Sequence, residues 1–147
     1  MSGISRACAV SVQRTADRKK VEDVMKKVKS FENLIVWQKS HLLTLDIYDL
    51  SKNFPEEEKF GITTQIRRAA YSISSNIVEG HSRKSKKEFL QFLYIAKGSL
   101  EEVKYFLRLS YDLHYITEKN YKEIKEKADE VSKLLHKFTK SLLNAER

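Results

Sequence analysis

The chain has 147 residues, enough for one ordinary domain with its own core, and no apolar run is long enough to span a bilayer. Only four glycines and one proline, Pro55, interrupt a composition rich in Lys, Glu and Leu, which favours long helices over sheets. The single cysteine, Cys8, excludes a disulfide framework within one chain and favours a reducing compartment. We therefore expect a cytoplasmic protein.

The formal net charge of +8 is unevenly distributed along the chain. Residues 1–30 hold eight Lys and Arg against three Asp and Glu, a net charge of +5, whereas residues 31–147 carry only +3. We predict a basic, disordered N-terminal extension over 1–30 and a helical domain over 31–147. A basic balance favours polyanion partners through an attraction that salt screens, although many surface lysines on any soluble protein give the same composition.

Apolar periodicity predicts a first helix over about 33–53 and a second helix after it. The first helix carries two neighbouring apolar stripes: Val36, Leu43, Ile47, Leu50 and Phe54, and beside them Leu34, Trp37, His41, Leu45 and Tyr48. Pro55 disfavours its continuation. The second helix begins either at Pro55 or at Thr63, and its stripe is Ile62, Ile66, Ala69, Ile73, Asn76 and Gly80. We expect Gly80 to terminate it. Its small residues allow a neighbouring helix to approach closely: Ala69, Ala70, Ser72, Ser74 and Ser75.

Capping signals open the third and fourth helices. Ser85 followed by Glu88 forms a capping box, and Thr117 caps the fourth helix. The third helix has a heptad stripe of Phe89, Leu93, Ala96, Leu100, Val103, Leu107, Ser110 and His114. A second stripe beside it consists of Phe92, Ile95, Ser99, Phe106, Leu109 and Leu113. The stripe of the fourth helix is Tyr121, Ile124, Ala128, Val131, Leu135, Phe138, Leu142 and Ala145.

Four long helices joined by short loops predict an all-α protein, an antiparallel up-down-up-down four-helix bundle. Such a bundle needs one apolar stripe per helix, and the first and third helices carry two. Self-association would cover the additional stripes, and a thicker single-chain core is the alternative. We predict that the oligomer interface contains Trp37, Phe92, Phe106 and Leu109.

Four segments of the chain, between about Phe31 and Leu143, together resemble one family. "FENLIVWQKS", "FGITTQIRRAAYSISSNIVEG", "SKKEFLQFLYIAKGSLEEV" and "DLHYIT" are similar to the 23S rRNA intervening sequence proteins, also called four-helix bundle proteins. The resemblance implies a bundle that assembles into a homopentameric ring, and many members are encoded inside a segment that interrupts 23S rRNA genes. The accessory protein of diversity-generating retroelements is similar and implies nucleic-acid binding. Members usually carry proline at the position of Ser74, so we expect a straighter second helix here.

Motifs for catalysis or metal binding are scarce. The chain has no Gly-rich phosphate loop, CxxC pair, HExxH or EF-hand loop, and no histidine follows a glutamate at the Glu-x-x-His spacing of di-metal bundles. Arg108 and His114 match the loose Arg–His spacing of a class of helical ribonucleases. Eight arginines and four histidines make that match nearly expected by chance, and His114 falls on the core heptad. We predict a protein that is not an enzyme and has no cofactor or metal.

The stretch Gln65–Phe89 is the best candidate for binding a partner. If the turn lies near Ser82, residues of the second and third helices whose numbers sum to about 165 sit level, so Arg68 faces Lys97. We predict a basic ridge that binds phosphates of RNA or DNA: Arg67, Arg68, Arg83, Lys84, Lys86, Lys87 and Lys97. Alternatively, Arg67 and Arg68 form ion pairs with Glu101 or Glu102. Asn76 and Glu79 are expected to form a structural hydrogen-bonded pair. The alternative function is a scaffold without a nucleic-acid role.

Overall fold

The computed structural model describes residues 30–145, so most of the predicted N-terminal extension lies outside the described residues. This part of the chain contains four α-helices and no strand. They are α1 (Ile35–Ser51), α2 (Ile62–His81), α3 (Lys86–Asp112) and α4 (Glu118–Asn144). The predicted all-α class and helix count are confirmed. None of these helices is long and apolar enough to cross a membrane.

The link between α1 and α2 decides where α2 begins. Pro55 precedes a short 3-10 turn, Glu56–Glu58, and does not start a continuous helix. The alternative start after Gly61 is therefore the right one, since α2 begins at Ile62. The carboxylate of Glu58 accepts a long hydrogen bond of 3.5 Å from the amide of Ile62, and it accepts another of 2.8 Å from the hydroxyl of Tyr115. Glu58 thereby ties this link to the turn between α3 and α4.

We expected Gly80 to terminate α2, but the helix continues to His81. A Cβ atom added to Gly80 would lie 2.8 Å from the Cβ of Phe92 and 2.9 Å from the Cδ1 of Phe89, closer than such atoms approach in real proteins. The glycine is required by packing against α3 and not by the backbone conformation of a helix end. It lies in the most extensive helix–helix contact of the bundle, which is between α2 and α3.

Side-chain caps start α3 and α4 as predicted. The hydroxyl of Ser85 accepts from the amide of Glu88 at 3.1 Å, and the hydroxyl of Thr117 accepts from the amide of Asn120 at the same distance. Each bond satisfies an amide that the first helical turn leaves without a partner. Both caps could be predicted from the sequence because a capping residue and the amide that it binds lie three residues apart in the chain.

His114 is not a core residue, which corrects its assignment to the heptad stripe of the third helix. It lies beyond α3, is exposed, and has a φ of 64°, in the left-handed region. Its amide donates to the carbonyl of Tyr111, and the next amide, of Tyr115, donates to the carbonyl of Ser110. These two bonds form the Schellman arrangement that ends many helices, usually with glycine at the left-handed position.

The core contains most residues of each predicted stripe. Ala145, which was predicted in the stripe of the fourth helix, is exposed because α4 ends at Asn144. Packing occurs between α1 and α2, α2 and α3, α3 and α4, and α1 and α4. The most deeply buried large side chains include Leu43, Ile47, Ile66, Ile73, Leu100, Leu107 and Leu135. α2 also buries Ala70, Ser74 and Ile77, which were not assigned to its stripe. It runs unbroken through Ser74, whose buried hydroxyl has no hydrogen-bond partner in the described range.

Candidate nucleic-acid interface

The register between α2 and α3 differs from the predicted one. Ser72 and Ser99, whose numbers sum to 171, share a hydrogen bond of 2.8 Å between their hydroxyls. Gly80 contacts Phe92, which gives nearly the same sum. The predicted sum of 165 is therefore too low. The helix ends at His81 and Lys86 already correspond to a sum of 167, and the contacts between the packed helices set the register. Arg68 consequently does not lie level with Lys97, which is about 9 Å further along the axis.

Arg67 faces α1 and does not join a ridge with Lys97. Its Nε donates to the hydroxyl of Ser51 at 2.7 Å, and its guanidinium lies 4.9 Å from the ring centroid of Tyr48. Arg68 is exposed and makes no hydrogen bond or ion pair with another described residue. The alternative pairing of these arginines with Glu101 or Glu102 is not formed. Glu101 instead contacts Lys104 at 3.5 Å.

The turn between α2 and α3 presents four basic side chains, of which two have partners. The guanidinium of Arg83 contacts the carboxylate of Glu79 at 3.3 Å and lies 5.0 Å from the ring centroid of Phe92. The ammonium of Lys86 donates to the carbonyl of Ala145 at 2.9 Å, which places the start of α3 beside the end of α4. Lys84 and Lys87 are exposed and form no hydrogen bond or ion pair with the described residues.

Asn76 does not pair with Glu79, which corrects another expectation for this stretch. Its amide donates to the carbonyl of Ser72 at 2.7 Å and to the hydroxyl of Ser72 at 3.0 Å. Because the hydroxyl of Ser72 also bonds to Ser99, Asn76 supports the contact between α2 and α3. It therefore has a structural role at this position.

Lys97 lies in a groove between α3 and α4 with a volume of about 480 Å³. We call this the α3–α4 groove; its lining residues are Leu93, Tyr94, Lys97, Ser132, Lys133, Leu135, His136, Thr139, Lys140 and Leu143. Leu93 and Leu135 form its buried floor, whereas Tyr94 and Leu143 are about half exposed. The lining contains three lysines and a histidine but no acidic residue.

The acidic side chains close in sequence to Lys97 and Lys133 pair with other residues. Glu130 contacts Lys39 at 3.3 Å. Glu101 and Asp129 each contact Lys104, at 3.5 and 3.2 Å, and Asp129 also contacts Lys125 at 3.1 Å. Burial works to raise the pKa of Asp129, but hydrogen bonds from Lys125 and Lys104 hold it below its ordinary value. Lys97, Lys133 and Lys140 form no ion pair with a described residue, so their charges remain available to a ligand.

Basic charge is concentrated in two segments that meet at one end of the bundle. Residues 82–97 and 131–145 together hold eight Lys and Arg against one Glu, a net charge of +7. The other described residues hold eleven basic and fifteen acidic residues, a net charge of −4. The predicted site residues did not include Tyr94, Lys133, His136 and Lys140. The absence of any acidic residue between Val131 and Ala145 was the signal that could have identified the last three.

The predicted interface residues are all half-buried within the bundle. Trp37 stacks on the imidazole of His41, with ring centroids 5.0 Å apart, and Phe106 and Leu109 pack against the core. Phe92 lies under Arg83. The large apolar side chains with the greatest exposure are others: Ile35, Phe60, Tyr94, Ile95 and Tyr105. The second stripe of α3 is thus partly covered by the same chain.

Arg108 and His114 both lie outside the α3–α4 groove. The Nε of Arg108 donates to the carboxylate of Asp112 at 3.0 Å, and this hydrogen bond raises the pKa of the arginine. His114 lies on the turn that follows. Among the described residues, no group of three or more His, Cys, Asp and Glu side chains is placed to hold a metal ion.

Comparison with known proteins identifies the same family as the sequence motifs. The family described as 23S rRNA-intervening sequence protein matches residues 32–137. A crystal structure of a protein with unknown function from the S23 ribosomal protein family of Bacteroides thetaiotaomicron has a TM-score of 0.68 and 33% sequence identity. That similarity covers 72% of this chain and 99% of the other. No curated protein matches the chain.

Proposed function

The chain belongs to the 23S rRNA-intervening sequence protein family, and we propose that it is a non-enzymatic, self-assembling protein that binds RNA or DNA through backbone phosphates. The observation that carries this proposal is the concentration of unpaired lysines at one end of the bundle. Lys84, Lys87 and the three groove lysines lie in the two segments with a net charge of +7. Contacts to phosphates position a nucleic acid without reading its bases, so we expect affinity that depends little on sequence.

The proposal includes the arrangement and assembly of the helices, with an up-down-up-down order and a cytoplasmic homopentamer. Two contacts support that order. The hydrogen bond from Tyr115 to Glu58 joins the α1–α2 link to the α3–α4 turn, and the bond from Lys86 to Ala145 joins the start of α3 to the end of α4. The exposed side chains of Ile35 on α1 and Ile95 on α3 support self-association. In a ring, weak phosphate contacts repeated on each subunit would add through avidity.

The test replaces the four basic residues of the turn by glutamine: Arg83, Lys84, Lys86 and Lys87. Binding of a labelled RNA is measured over a range of salt concentrations. We expect weaker binding and a salt slope that falls by about one unit for each phosphate that the variant no longer neutralises, because each neutralised phosphate releases counterions. A matched variant carries the same charge change at the opposite end of the bundle, at Lys52, Lys59, Lys119 and Lys122, and should bind normally.

Deletion of residues 1–24 is the second control, because the segment contributes to the +5 charge of the extension. If that deletion abolishes binding while the turn variant binds normally, the bundle itself has no phosphate site. Equal losses in the turn variant and in the matched variant would indicate attraction to net charge alone. Circular dichroism tests whether the helical content of each variant is unchanged.

Two rival functions make different predictions. The first rival is a scaffold homo-oligomer without a nucleic-acid role, which the exposed side chains of Ile35, Phe60 and Ile95 favour. Such a protein would show no salt-sensitive RNA binding. A ribonuclease using Arg108 and His114 would cleave RNA. We expect no cleavage with or without divalent metal, and cleavage that disappears in His114→Ala with the fold intact would establish the ribonuclease.

A further inference from the structure

The α3–α4 groove contains basic side chains and one exposed aromatic ring, that of Tyr94. A duplex could contact the basic side chains, but its paired bases could not stack on the ring. Tyr94 is 54% exposed, and its ring has no stacking partner among the described aromatic residues. Lys97 lies one helical turn away on α3, and Lys133, His136 and Lys140 follow at helical spacing on α4. A ring flanked by ammonium groups can hold an unstacked base and the phosphates on either side of it.

We propose that the α3–α4 groove binds single-stranded nucleic acid, with one base stacked on the ring of Tyr94 and the adjoining phosphates held by Lys97, Lys133 and Lys140. The inference rests on the proposed function and names the form of nucleic acid that the site prefers. Bases in a duplex are already stacked on each other, so only their phosphates would reach the lysines. The single strand gains an additional stacking contact, which tolerates any base because each has a π-face.

A protein partner with an acidic amphipathic helix fits the groove less well. The floor residues Leu93 and Leu135 are already covered, at 0% and 2% exposure, so a helix would find only Tyr94 and Leu143 as accessible apolar side chains. Helix-in-groove recognition uses a row of apolar anchors at successive turns. The hydroxyls of Ser132 and Thr139 in the lining are suited to phosphate or sugar oxygens instead.

The test compares the full chain and three variants for binding to a labelled deoxythymidine oligomer, single-stranded or annealed to its complement. Tyr94→Ala should weaken single-strand binding by about ten-fold, the range expected for loss of one stacked base. It should leave duplex binding unchanged. Tyr94→Phe keeps the ring and should bind as the wild type does. Tyr105→Ala is the matched control, because Tyr105 is 61% exposed on the same helix and lies outside the groove.

The possible failures separate the two proposals. If the wild type binds both forms in a salt-dependent manner and Tyr94→Ala leaves single-strand affinity unchanged, the groove inference is wrong while the proposed function stands. If neither form binds at low salt, the proposed function fails and the inference with it. Binding of a polyglutamate peptide that Tyr94→Ala abolishes, without any oligomer binding, would assign the groove to an acidic protein partner.

Discussion

At the scale of single residues, Gly80 and Gly98 lie on neighbouring helices in opposite environments. A side chain at Gly80 would collide with Phe89 and Phe92 of α3, whereas one at Gly98 would meet no atom within 4 Å. Glycine inside a helix is unfavourable relative to alanine because it loses more conformational freedom on folding. The structure therefore gives a reason for the glycine at 80 but none for the glycine at 98.

We expect Gly80→Ala to lower the free energy of unfolding by about 1–3 kcal/mol, because the added methyl group overpacks the contact between α2 and α3. Gly98→Ala should raise it by about 0.5–1 kcal/mol, since the methyl group meets open space and the helix gains propensity. Urea unfolding of both variants measures the difference. Equal effects of the same sign would mean that the close approach at Gly80 is not a constraint.

Asp129 makes stability depend on pH. Burial raises the pKa of Asp129, but hydrogen bonds from Lys125 and Lys104 lower it by more. The pKa in the folded protein is therefore below the ordinary value. A carboxyl whose folded pKa lies below its unfolded value stabilises the protein above the unfolded pKa. That contribution is lost as the pH falls through the folded pKa. The relevant window lies below about pH 4, the ordinary range of an aspartate.

Asp129→Asn should therefore reduce the loss of stability that the wild type shows on acidification below this pH. It should also lower stability at neutral pH, because Lys104 and Lys125 lose a shared partner. Unfolding midpoints measured from pH 7 to pH 2 test the change. Glu126→Gln removes an exposed carboxylate of the same helix that forms no ion pair with a described residue. If both variants change the pH profile equally, the effect is one of net charge.

At the scale of elements, α3 ends before the heptad pattern of its sequence does. The heptad stripe extends to His114, yet the helix ends at Asp112 and His114 adopts a left-handed conformation. The Schellman bonds from His114 and Tyr115 satisfy the carbonyls of Tyr111 and Ser110. This termination turns the chain toward Thr117, which caps α4.

His114→Gly should raise the free energy of unfolding by about 1 kcal/mol, because glycine adopts the left-handed conformation without the steric cost that other residues incur. His114→Ala retains that cost and should give no such gain. Thermal unfolding of the two variants separates the backbone effect from loss of the imidazole. A stability of His114→Gly at or below that of His114→Ala would contradict the backbone argument.

At the scale of the whole molecule, the exposed apolar side chains bear on self-association. Ile95 belongs to the second stripe of α3 and is 52% exposed, whereas Phe106 and Leu109 of that stripe pack against the core of their own bundle. A charge at Phe106 or Leu109 would therefore disturb the fold as well as any interface. Ile95 allows the two effects to be separated.

We expect light scattering of the purified protein to show a discrete oligomer of five subunits, the number that the family resemblance implies. Ile95→Lys should dissociate it into helical monomers, because a charge within an apolar interface is left unpaired. Phe106→Lys should reduce helical content as well. A wild-type protein that stays monomeric at micromolar concentration would refute self-association, and an intact oligomer in Ile95→Lys would place the interface elsewhere.

The sequence by itself determined the local features of this protein. The sequence predicted the four helices, the caps at Ser85 and Thr117, and most of the buried stripes. Each of these features depends on residues within about one helical turn of each other. The tertiary structure decided the register of α2 against α3, the packing role of Gly80 and the orientation of Arg67 toward α1. It also decided that Tyr94 and Lys97 of one helix share a groove with three basic residues of another. Those features depend on where a turn is centred and on which side of each helix meets its neighbour, and contacts between residues distant in the chain settle both.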